Sequence, residues 1–401
     1  MNFFIYLLFA IFTECFKLDF KVQTIENKEK HKRDQSSLLN FKSLKNVYVT
    51  QLEIGSNKDK VNVSIDTGSS DLWVMGSDIQ CFTIDQLHTL ESPDIPEIFD
   101  DLDESYSCSD NGTFSYENST TFELTDEEFS IGYADGSVAL GYWGSDDVSQ
   151  VRNLRFGIAN VSSIDIGILG IGQNADYDNF PTKLKDQGII NETIYSIYLD
   201  GDSGSVLFGD IDDSKFDGEL TTLPMTDRAS INITNFSIGD KNFDTTDAII
   251  DTGSTFSTLP KEWIDAIGKV INGVYNEDED AYRIDCKSYD QTFTFDVDNS
   301  TIEIPISTFI TKYQDACYLG IMDEAIIGGV IFGSDILKNL YLVYNLDEDT
   351  LSIAPIANQT VKPADSESTK TEPAKTNTND GIMLYPYLSF VPLSMYIAFL
   401  Y

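Results

Sequence analysis

The chain of 401 residues carries 66 acidic and 26 basic side chains, and its formal net charge at pH 7 is −40. This charge argues against nucleic-acid binding, because a phosphate backbone would be repelled. It suits a basic partner or an acidic medium in which carboxylates are protonated; a plain solvated surface is the alternative. The 20 Tyr and 25 Phe favour a β-rich fold. The length is sufficient for two lobes with separate cores.

The N-terminus begins with an apolar run, FFIYLLFAIF, that is too short to span a bilayer comfortably. It predicts a secretory signal peptide at residues 1–16. Residues 17–33 are charged and end in Lys32-Arg33, which predicts a short pro-segment removed by a kexin-like processing protease. An ordinary exposed dibasic pair is the alternative.

The stretch VNVSIDTGSSDLWV, residues 61–74, has an apolar strand on each side of a glycine-containing turn. This arrangement holds one carboxylate, Asp66, rigidly at the tip of a loop. The loop continues through Thr67, Gly68 and Ser69. Alone it would be a weak signal, because Asp-Thr-Gly also occurs in ordinary turns.

A long acidic insert, residues 82–107, follows the first loop and has almost no basic residue. Unstructured loops of this length are usually functional or disordered. The insert could attract basic peptides, or it could be passive.

Residues 128–143, EFSIGYADGSVALGYW, predict a β-hairpin with Asp135 and Gly136 at its turn and Tyr133 just before it. Residues 181–189 predict a short surface helix, and we place the boundary between two lobes near Lys215. The N-terminal lobe is then 34–215 and the C-terminal lobe 216–358.

The second lobe repeats the first loop. Asp251, Thr252, Gly253 and Ser254 follow the apolar residues 248–250. The repeat predicts that Asp66 and Asp251 face each other across a cleft. Two carboxylates within about 3 Å cannot both ionise, so the pair shares one proton. One can then act as general base on a water while the other hydrogen-bonds a substrate carbonyl. Two unrelated turn aspartates are the alternative.

An amphipathic helix is predicted over residues 260–271, with a purely packing role. The cysteines beyond Cys15 form two sequential pairs, Cys81 with Cys108 and Cys286 with Cys317. Four cysteines allow three connectivities, and a two-lobe chain favours pairing within each lobe.

The C-terminus changes composition abruptly. Residues 359–381 are rich in Ser, Thr, Lys and Pro and predict a stalk. Residues 382–401 are uncharged and mostly apolar, which predicts a GPI-attachment signal. A spanning helix and a buried tail are the alternatives. Nine Asn-x-Ser/Thr sequons fit a secreted glycoprotein; they are Asn62, Asn111, Asn118, Asn160, Asn191, Asn232, Asn235, Asn299 and Asn358.

With these motifs the chain resembles the pepsin-like aspartic proteases, in particular the fungal candidapepsins and yapsins, over residues 46–356. The resemblance implies an all-β, bilobal fold with a few short helices and an active site in the cleft between the lobes. It implies that Asp66 and Asp251 are catalytic and that no metal or cofactor is used. Its supporting residues would be Thr67 and Thr252 as a cross-lobe pair, Gly68 and Gly253 as tight turns, and Ser69 and Ser254 as donors to the carboxylates.

The resemblance also identifies the hairpin as a flap over the cleft, with Tyr133 bonded to Trp73 and with Asp135 and Gly136 near substrate. Two apolar-apolar-Gly segments, 167–170 and 326–329, would brace the loops, with Gly329 in place of the family's usual Asp. Both disulfides would form within a lobe.

The expected function is a monomeric endopeptidase of the secretory pathway, GPI-anchored at the plasma membrane or cell wall. It would cleave proteins and peptides, with a preference for basic residues indicated by the acidic insert, the acidic composition and Asp135. The alternatives are a broad-specificity, secreted candidapepsin-like protease and an inactive surface binding protein.

Overall fold

The computed structural model describes residues 15–26, 44–84, 108–174, 176–226, 229–277, 279–357 and 361–363. The dibasic pair Lys32-Arg33, both histidines, most of the acidic insert, the GPI signal and the sequon Asn358 lie outside the described residues.

Strands dominate the first half of the described chain. They are β1 (Phe16–Glu26), β2 (Leu44–Ile54), β3 (Asp59–Asp66), β4 (Leu72–Cys81), β5 (Glu123–Gly132), β6 (Val138–Val148), β7 (Val151–Ser162), β8 (Gly167–Gly170), β9 (Ile194–Asp200) and β10 (Ser203–Phe208), with helix α1 (Phe180–Asp186) after β8.

The second half continues this pattern. Its strands are β11 (Thr221–Pro224), β12 (Ser230–Ile238), β13 (Lys241–Asn242), β14 (Thr246–Ile250), β15 (Thr258–Leu259), β16 (Val274–Asn276), β17 (Ala281–Ile284), β18 (Thr292–Val297), β19 (Ser300–Pro305), β20 (Ile310–Tyr313), β21 (Ala316–Leu319), β22 (Met322–Asp323), β23 (Val330–Phe332), β24 (Leu340–Asn345), β25 (Thr350–Pro355) and β26 (Val361–Pro363). Helix α2 (Lys261–Val270) follows β15 and α3 (Ser334–Leu337) follows β23.

One large sheet connects the two halves. Its order is β11-β25-β24-β9-β10-β1-β2-β3-β8-β4-β7-β6-β5, so strands from the end of the chain continue a sheet built by its beginning. A second sheet (β22-β15-β23-β14-β12-β18-β19-β26) and a small one (β16-β17-β21-β20) belong to the second half. This is the bilobal, mostly β architecture that the resemblance implies, and the fold-class prediction is confirmed.

The two helix predictions also agree with the structure. In α2 the apolar stripe of Trp263, Ile264 and Ile267 is buried, and Trp263 stacks on Phe236 with ring centroids 3.8 Å apart. Apolar residues at this spacing form one face of a helix, which explains why the sequence predicted it. Helix α1 occupies 180–186, close to the predicted 181–189.

Strand β1 crosses the predicted boundary between signal peptide and pro-segment. It pairs with β10 on one side and β2 on the other, and its alternating residues Phe16, Leu18 and Phe20 are buried. The segments 1–16 and 17–33 remain predictions, but the strand shows that part of both belongs to the sheet. Similarly, β26 lies within the predicted stalk and pairs with β19.

Candidate active site

The two Asp loops end equivalent strands. Asp66 is the last residue of β3 and Asp251 directly follows β14. Each strand pairs in parallel with a neighbour, β8 or β23, so each carboxylate stands at the end of two adjacent strands. Asp66 is 2% exposed and Asp251 is fully buried.

Each carboxylate accepts the same two hydrogen bonds. The backbone N–H of Gly68 donates to Asp66 Oδ1 at 2.8 Å and the Ser69 hydroxyl donates to Oδ2 at 2.7 Å. Around Asp251, Gly253 N–H and the Ser254 hydroxyl do the same, both at 2.8 Å. The two loops, one in each lobe, therefore have the same hydrogen-bonding pattern.

The loops lock each other through Thr67 and Thr252. The Thr67 N–H donates to Thr252 Oγ1 at 3.2 Å, and the Thr252 N–H donates to Thr67 Oγ1 at 3.0 Å. The hydroxyls then donate across the lobes, from Thr67 to the Ile250 carbonyl at 3.0 Å and from Thr252 to the Ile65 carbonyl at 3.2 Å. The relative position of the carboxylates is thereby fixed.

Glycine is required where each loop approaches the opposite carboxylate. A Cβ added to Gly68 would lie 2.7 Å from Asp251 Oδ1, and one added to Gly253 would lie 2.6 Å from Asp66 Oδ1. These separations are shorter than a carbon–oxygen contact allows. The two carboxylates are thus packed against each other's turn.

Burial raises the pKa of both carboxyl groups. The pKa of Asp66 lies well above its usual range, first because of burial and then because of the charge and hydrogen bond of Asp251. Burial also raises the pKa of Asp251. The pair therefore retains a proton at pH values where an exposed carboxyl would have lost it, and the proton belongs to the pair as a unit.

The predicted hairpin is formed by β5 and β6. The N–H of Tyr133 donates to the Ser137 carbonyl at 2.8 Å, and Gly136 has φ 83°, a conformation that favours glycine. Trp73 Nε1 donates to the Tyr133 hydroxyl at 2.6 Å, as predicted from the resemblance. Burial raises the pKa of Tyr133, so this hydroxyl stays protonated.

Asp135 lies exposed at the turn of the hairpin. Its carboxylate accepts hydrogen bonds from the backbone N–H and the hydroxyl of Ser137. The side chain thus stabilises the turn itself, while its charge remains in contact with solvent.

The prediction for the second bracing segment was wrong. Strand β14 pairs with β23, with Ile250 opposite Phe332, so residues 331–333 (Ile-Phe-Gly) brace the second loop rather than 326–329. Ile326 is 57% exposed, and a Cβ at Gly328 or Gly329 would meet no atom within 4 Å. The predicted loss of an acidic residue at Gly329 therefore has no bearing on the loop.

The actual bracing glycines correspond in the two lobes. Asp66 lies opposite Gly170 in the β3–β8 pair, as predicted for residues 167–170. A Cβ on Gly170 would lie 2.5 Å from the backbone nitrogen of Asp71, and one on Gly333 would lie 2.8 Å from the Ser254 carbonyl oxygen. Backbone packs directly on backbone at both positions.

Sequence reasoning missed three side chains that support the loops, those of Tyr344, Ser257 and Asp335. The buried Tyr344 hydroxyl donates to the Ile250 carbonyl at 3.0 Å. Buried Asp335 accepts hydrogen bonds from Ser257. Matching Ile331-Phe332-Gly333, rather than Ile326–Gly329, to the first bracing segment would have drawn attention to residues 334–335, which follow that glycine.

Both predicted disulfides are present, Cys81–Cys108 and Cys286–Cys317, with Cα atoms 6.1 and 5.3 Å apart. Within the described ranges, no three His, Cys, Asp or Glu side chains converge as metal ligands would. None of the helices in those ranges is long and apolar enough to cross a membrane.

Comparison with known proteins adds to this geometry. Residues 47–356 match the family model described as eukaryotic aspartyl protease. The chain is 46% identical to secreted aspartic protease 10 of Candida albicans over 372 residues, which covers 89% of this chain and 82% of the relative. It is 30% identical to secreted aspartic protease 9 of that organism, with 85% of each chain covered. It is 32% identical to candidapepsin of Candida tropicalis, with 77% of this chain and 79% of the relative covered.

Proposed function

We propose, from the premise that this chain belongs to the eukaryotic aspartyl protease family, that Asp66 and Asp251 are its catalytic pair. The chain is an aspartic endopeptidase of the secreted candidapepsin type. The observation that supports the assignment is the pair of buried carboxyl groups with matching donors, packed against each other's turns. The single shared proton gives such a pair one basic and one acidic oxygen at the same pH.

The reaction follows from this proton arrangement. The ionised carboxylate removes a proton from a water, whose oxygen attacks the scissile carbonyl, while the protonated partner donates to the carbonyl oxygen. A tetrahedral gem-diol forms. Proton transfer to the amide nitrogen then lets the C–N bond break, which gives a carboxylic acid and an amine. The donors to Asp66 and Asp251 are equivalent, so we assign both roles to the pair and not to either residue.

The hairpin of β5 and β6 is the proposed flap. Tyr133 is fixed by Trp73, and the tight turn at Gly136 places backbone groups at the tip. A flap that closes over bound peptide excludes water and strengthens the electrostatic interactions beneath it.

The assignment is tested by Asp66→Asn and Asp251→Asn in the matured enzyme. Each should abolish pepstatin-sensitive peptide cleavage. Asp247→Asn is a matched control, since Asp247 is an exposed carboxylate on β14 that accepts a hydrogen bond from Asn232. Full activity in either dyad variant would overturn the assignment.

For specificity we propose cleavage beside Lys or Arg. The net charge of −40 and the exposed Asp135 at the flap turn support it, because negative potential concentrates basic peptides in a cleft. Broad specificity is the second candidate, supported by the similarity to candidapepsin. A peptide library separates them: cleavage between bulky apolar residues, unchanged by Asp135→Asn, would favour the second.

For localisation, the relatives named as secreted proteases support the secretory pathway, and we propose a GPI anchor through residues 382–401 and maturation at Lys32-Arg33. Release of the enzyme from cells by phosphatidylinositol-specific phospholipase C tests the anchor. An unchanged distribution after deletion of 382–401 would contradict it. N-terminal sequencing of the released monomer tests the maturation site.

A further inference from the structure

Residues 332–335, at the end of β23 and the start of α3, contact the second Asp loop along its whole length. At its start, the Asp251 N–H donates to the Phe332 carbonyl at 3.1 Å. The Ser334 hydroxyl donates to the Thr252 carbonyl at 3.2 Å. In the middle of the loop, the Ser334 N–H donates to the Ser254 carbonyl at 2.7 Å. At its end, Ser257 is held by Asp335. The loop between Asp251 and Ser257 therefore has its position set by this segment.

The contact at Ser257 is the only one of these that uses a carboxyl group. Asp335 is 9% exposed and accepts hydrogen bonds from the hydroxyl and the N–H of Ser257, the latter at 3.0 Å. The Ser257 hydroxyl in turn accepts the Gly333 N–H at 3.0 Å. One serine thus joins the loop to both the bracing glycine and the carboxylate.

The first lobe has a comparable tie with the roles reversed. There the carboxylate belongs to the loop, since Asp71 accepts a hydrogen bond from the Tyr177 hydroxyl at 2.5 Å and from Asn174 Nδ2 at 3.3 Å. Each lobe therefore fastens the end of its Asp loop to a neighbouring segment with one carboxyl group, half-buried in Asp71 and buried in Asp335. Two different side-chain sets that produce the same restraint indicate that the restraint itself is needed.

We propose that Asp335 is a positioning residue for Asp251, acting through Ser257. The inference rests on the proposed catalytic role of Asp251. The hydrogen-bond partners of Asp335 are Ser257, Thr308, Ile336 and Asn339, so it acts on the dyad through other residues. Its effect is on the position of the loop: Ser254, which donates to Asp251 Oδ2, is contacted by Ser334 and lies three residues before Ser257. Release of Ser257 would let Ser254 and Gly253 move relative to Asp66.

The test measures kcat and KM, per pepstatin-titrated active site, for Ser257→Ala and Asp335→Asn. Misplacement of a catalytic group by about 1 Å can reduce the rate on the order of 100-fold. We expect kcat to fall about tenfold or more in each variant, with KM changed by less than about threefold. The double variant should lose little more than either single variant, because both changes break the same contact.

A matched control distinguishes positioning from general stability. Asp146 is a buried carboxylate, 1% exposed, that accepts 2.6 Å hydrogen bonds from Ser119 and Thr121. Asp146→Asn should lower the unfolding temperature and leave kcat per titrated site unchanged. The proposal is overturned if Ser257→Ala, which keeps the carboxylate's backbone donors, retains kcat within about twofold of wild type. Activity in Asp251→Asn would instead overturn the catalytic assignment.

Discussion

Thr67 and Thr252 form two reciprocal hydrogen bonds: Thr67 Oγ1 accepts the Thr252 N–H at 3.0 Å, and Thr252 Oγ1 accepts the Thr67 N–H at 3.2 Å. The two residues lie in different lobes, yet each completes the hydrogen bonding of the other's loop. The hydrogen bonds of Thr67 and Thr252 therefore form a closed ring between the two lobes, next to Asp66 and Asp251 in the sequence.

Replacement of Thr252 by Val tests this ring. The Thr67 N–H and the Ile65 carbonyl would both lose a partner, and a buried unsatisfied group costs about 1–3 kcal/mol. We expect the free energy of unfolding to fall by about that amount and kcat to fall with it. Urea unfolding and kcat per active site measure the two effects.

Thr252→Ser retains the hydroxyl and should restore both values. Thr222→Val removes a similar hydroxyl from the exposed Thr222–Ser352 pair and should change stability by less than about 0.5 kcal/mol. Equal losses in the two valine variants would contradict a special role for the cross-lobe bonds.

Gly333→Ala tests which glycine braces the second loop. The new methyl group would lie 2.8–2.9 Å from backbone atoms of Ser254 and Phe256, so the loop must move, and we expect a loss on the order of 2 kcal/mol in stability. Gly329→Ala is the control, because no atom lies within 4 Å of its Cβ position. Thermal unfolding of the two variants measures both losses. A larger loss in Gly329→Ala than in Gly333→Ala would show that residues 326–329 brace the second loop.

Asp335 gives the protein a defined pH dependence. Burial raises its pKa to about 6, against the opposing effects of the Ser257 hydrogen bonds and Lys338. The folded state therefore binds this proton more tightly than the unfolded state. Its contribution to stability is present below about pH 4 and is lost as the pH rises through about 6, on the order of 3 kcal/mol in total.

Comparison with Asp335→Asn isolates this contribution, since the amide does not titrate. The difference in unfolding free energy between the two proteins, measured from pH 3.5 to 7, should shift steadily in favour of the variant. A difference that stays constant over this range would show that Asp335 ionises normally.

If the chain follows the secretory route proposed above, the solvent exposure of each sequon Asn predicts whether it carries a glycan. Asn111 is buried and its amide donates to the Asp165 carbonyl at 2.8 Å, so a glycan there is incompatible with the fold. Asn191 and Asn299 are exposed. Enzymatic deglycosylation in heavy-oxygen water, followed by peptide mass spectrometry, should label Asn191 or Asn299 and leave Asn111 unlabelled. A labelled Asn111 in folded, active enzyme would refute the argument.

The Asp loops and the hairpin could be predicted because their signals are local. A strand, a glycine turn and a hydroxyl within four residues of Asp66 define the loop regardless of its partners. The repeat at Asp251 then predicts the pairing of the lobes. The hydrogen bond between Trp73 and Tyr133 was also predicted, but only through resemblance, since no local rule joins residues so far apart; their role at a substrate stays a prediction.

The bracing segment could not be predicted in this way. Two apolar-apolar-Gly runs occur close together, at 326–328 and 331–333, and only the pairing of β23 with β14 distinguishes them. The same applies to β1, whose place in the sheet depends on strands far along the chain. Asp335 was missed for a related reason, because its importance comes from Ser257 and not from its own neighbours.

The position of β1 changes what maturation would mean for this molecule. A terminal segment that merely covered a cleft could be removed without altering the architecture behind it. Here the segment lies between β10 and β2, inside the large sheet that connects the two halves of the chain. Its loss after cleavage at Lys32-Arg33 would open the edges of β10 and β2 in mid-sheet and uncover the ring of Tyr48, on which Phe20 packs. Proteolytic activation would then change the sheet that connects the two halves of the chain, and the precursor and the mature form would differ in how their lobes are tied together.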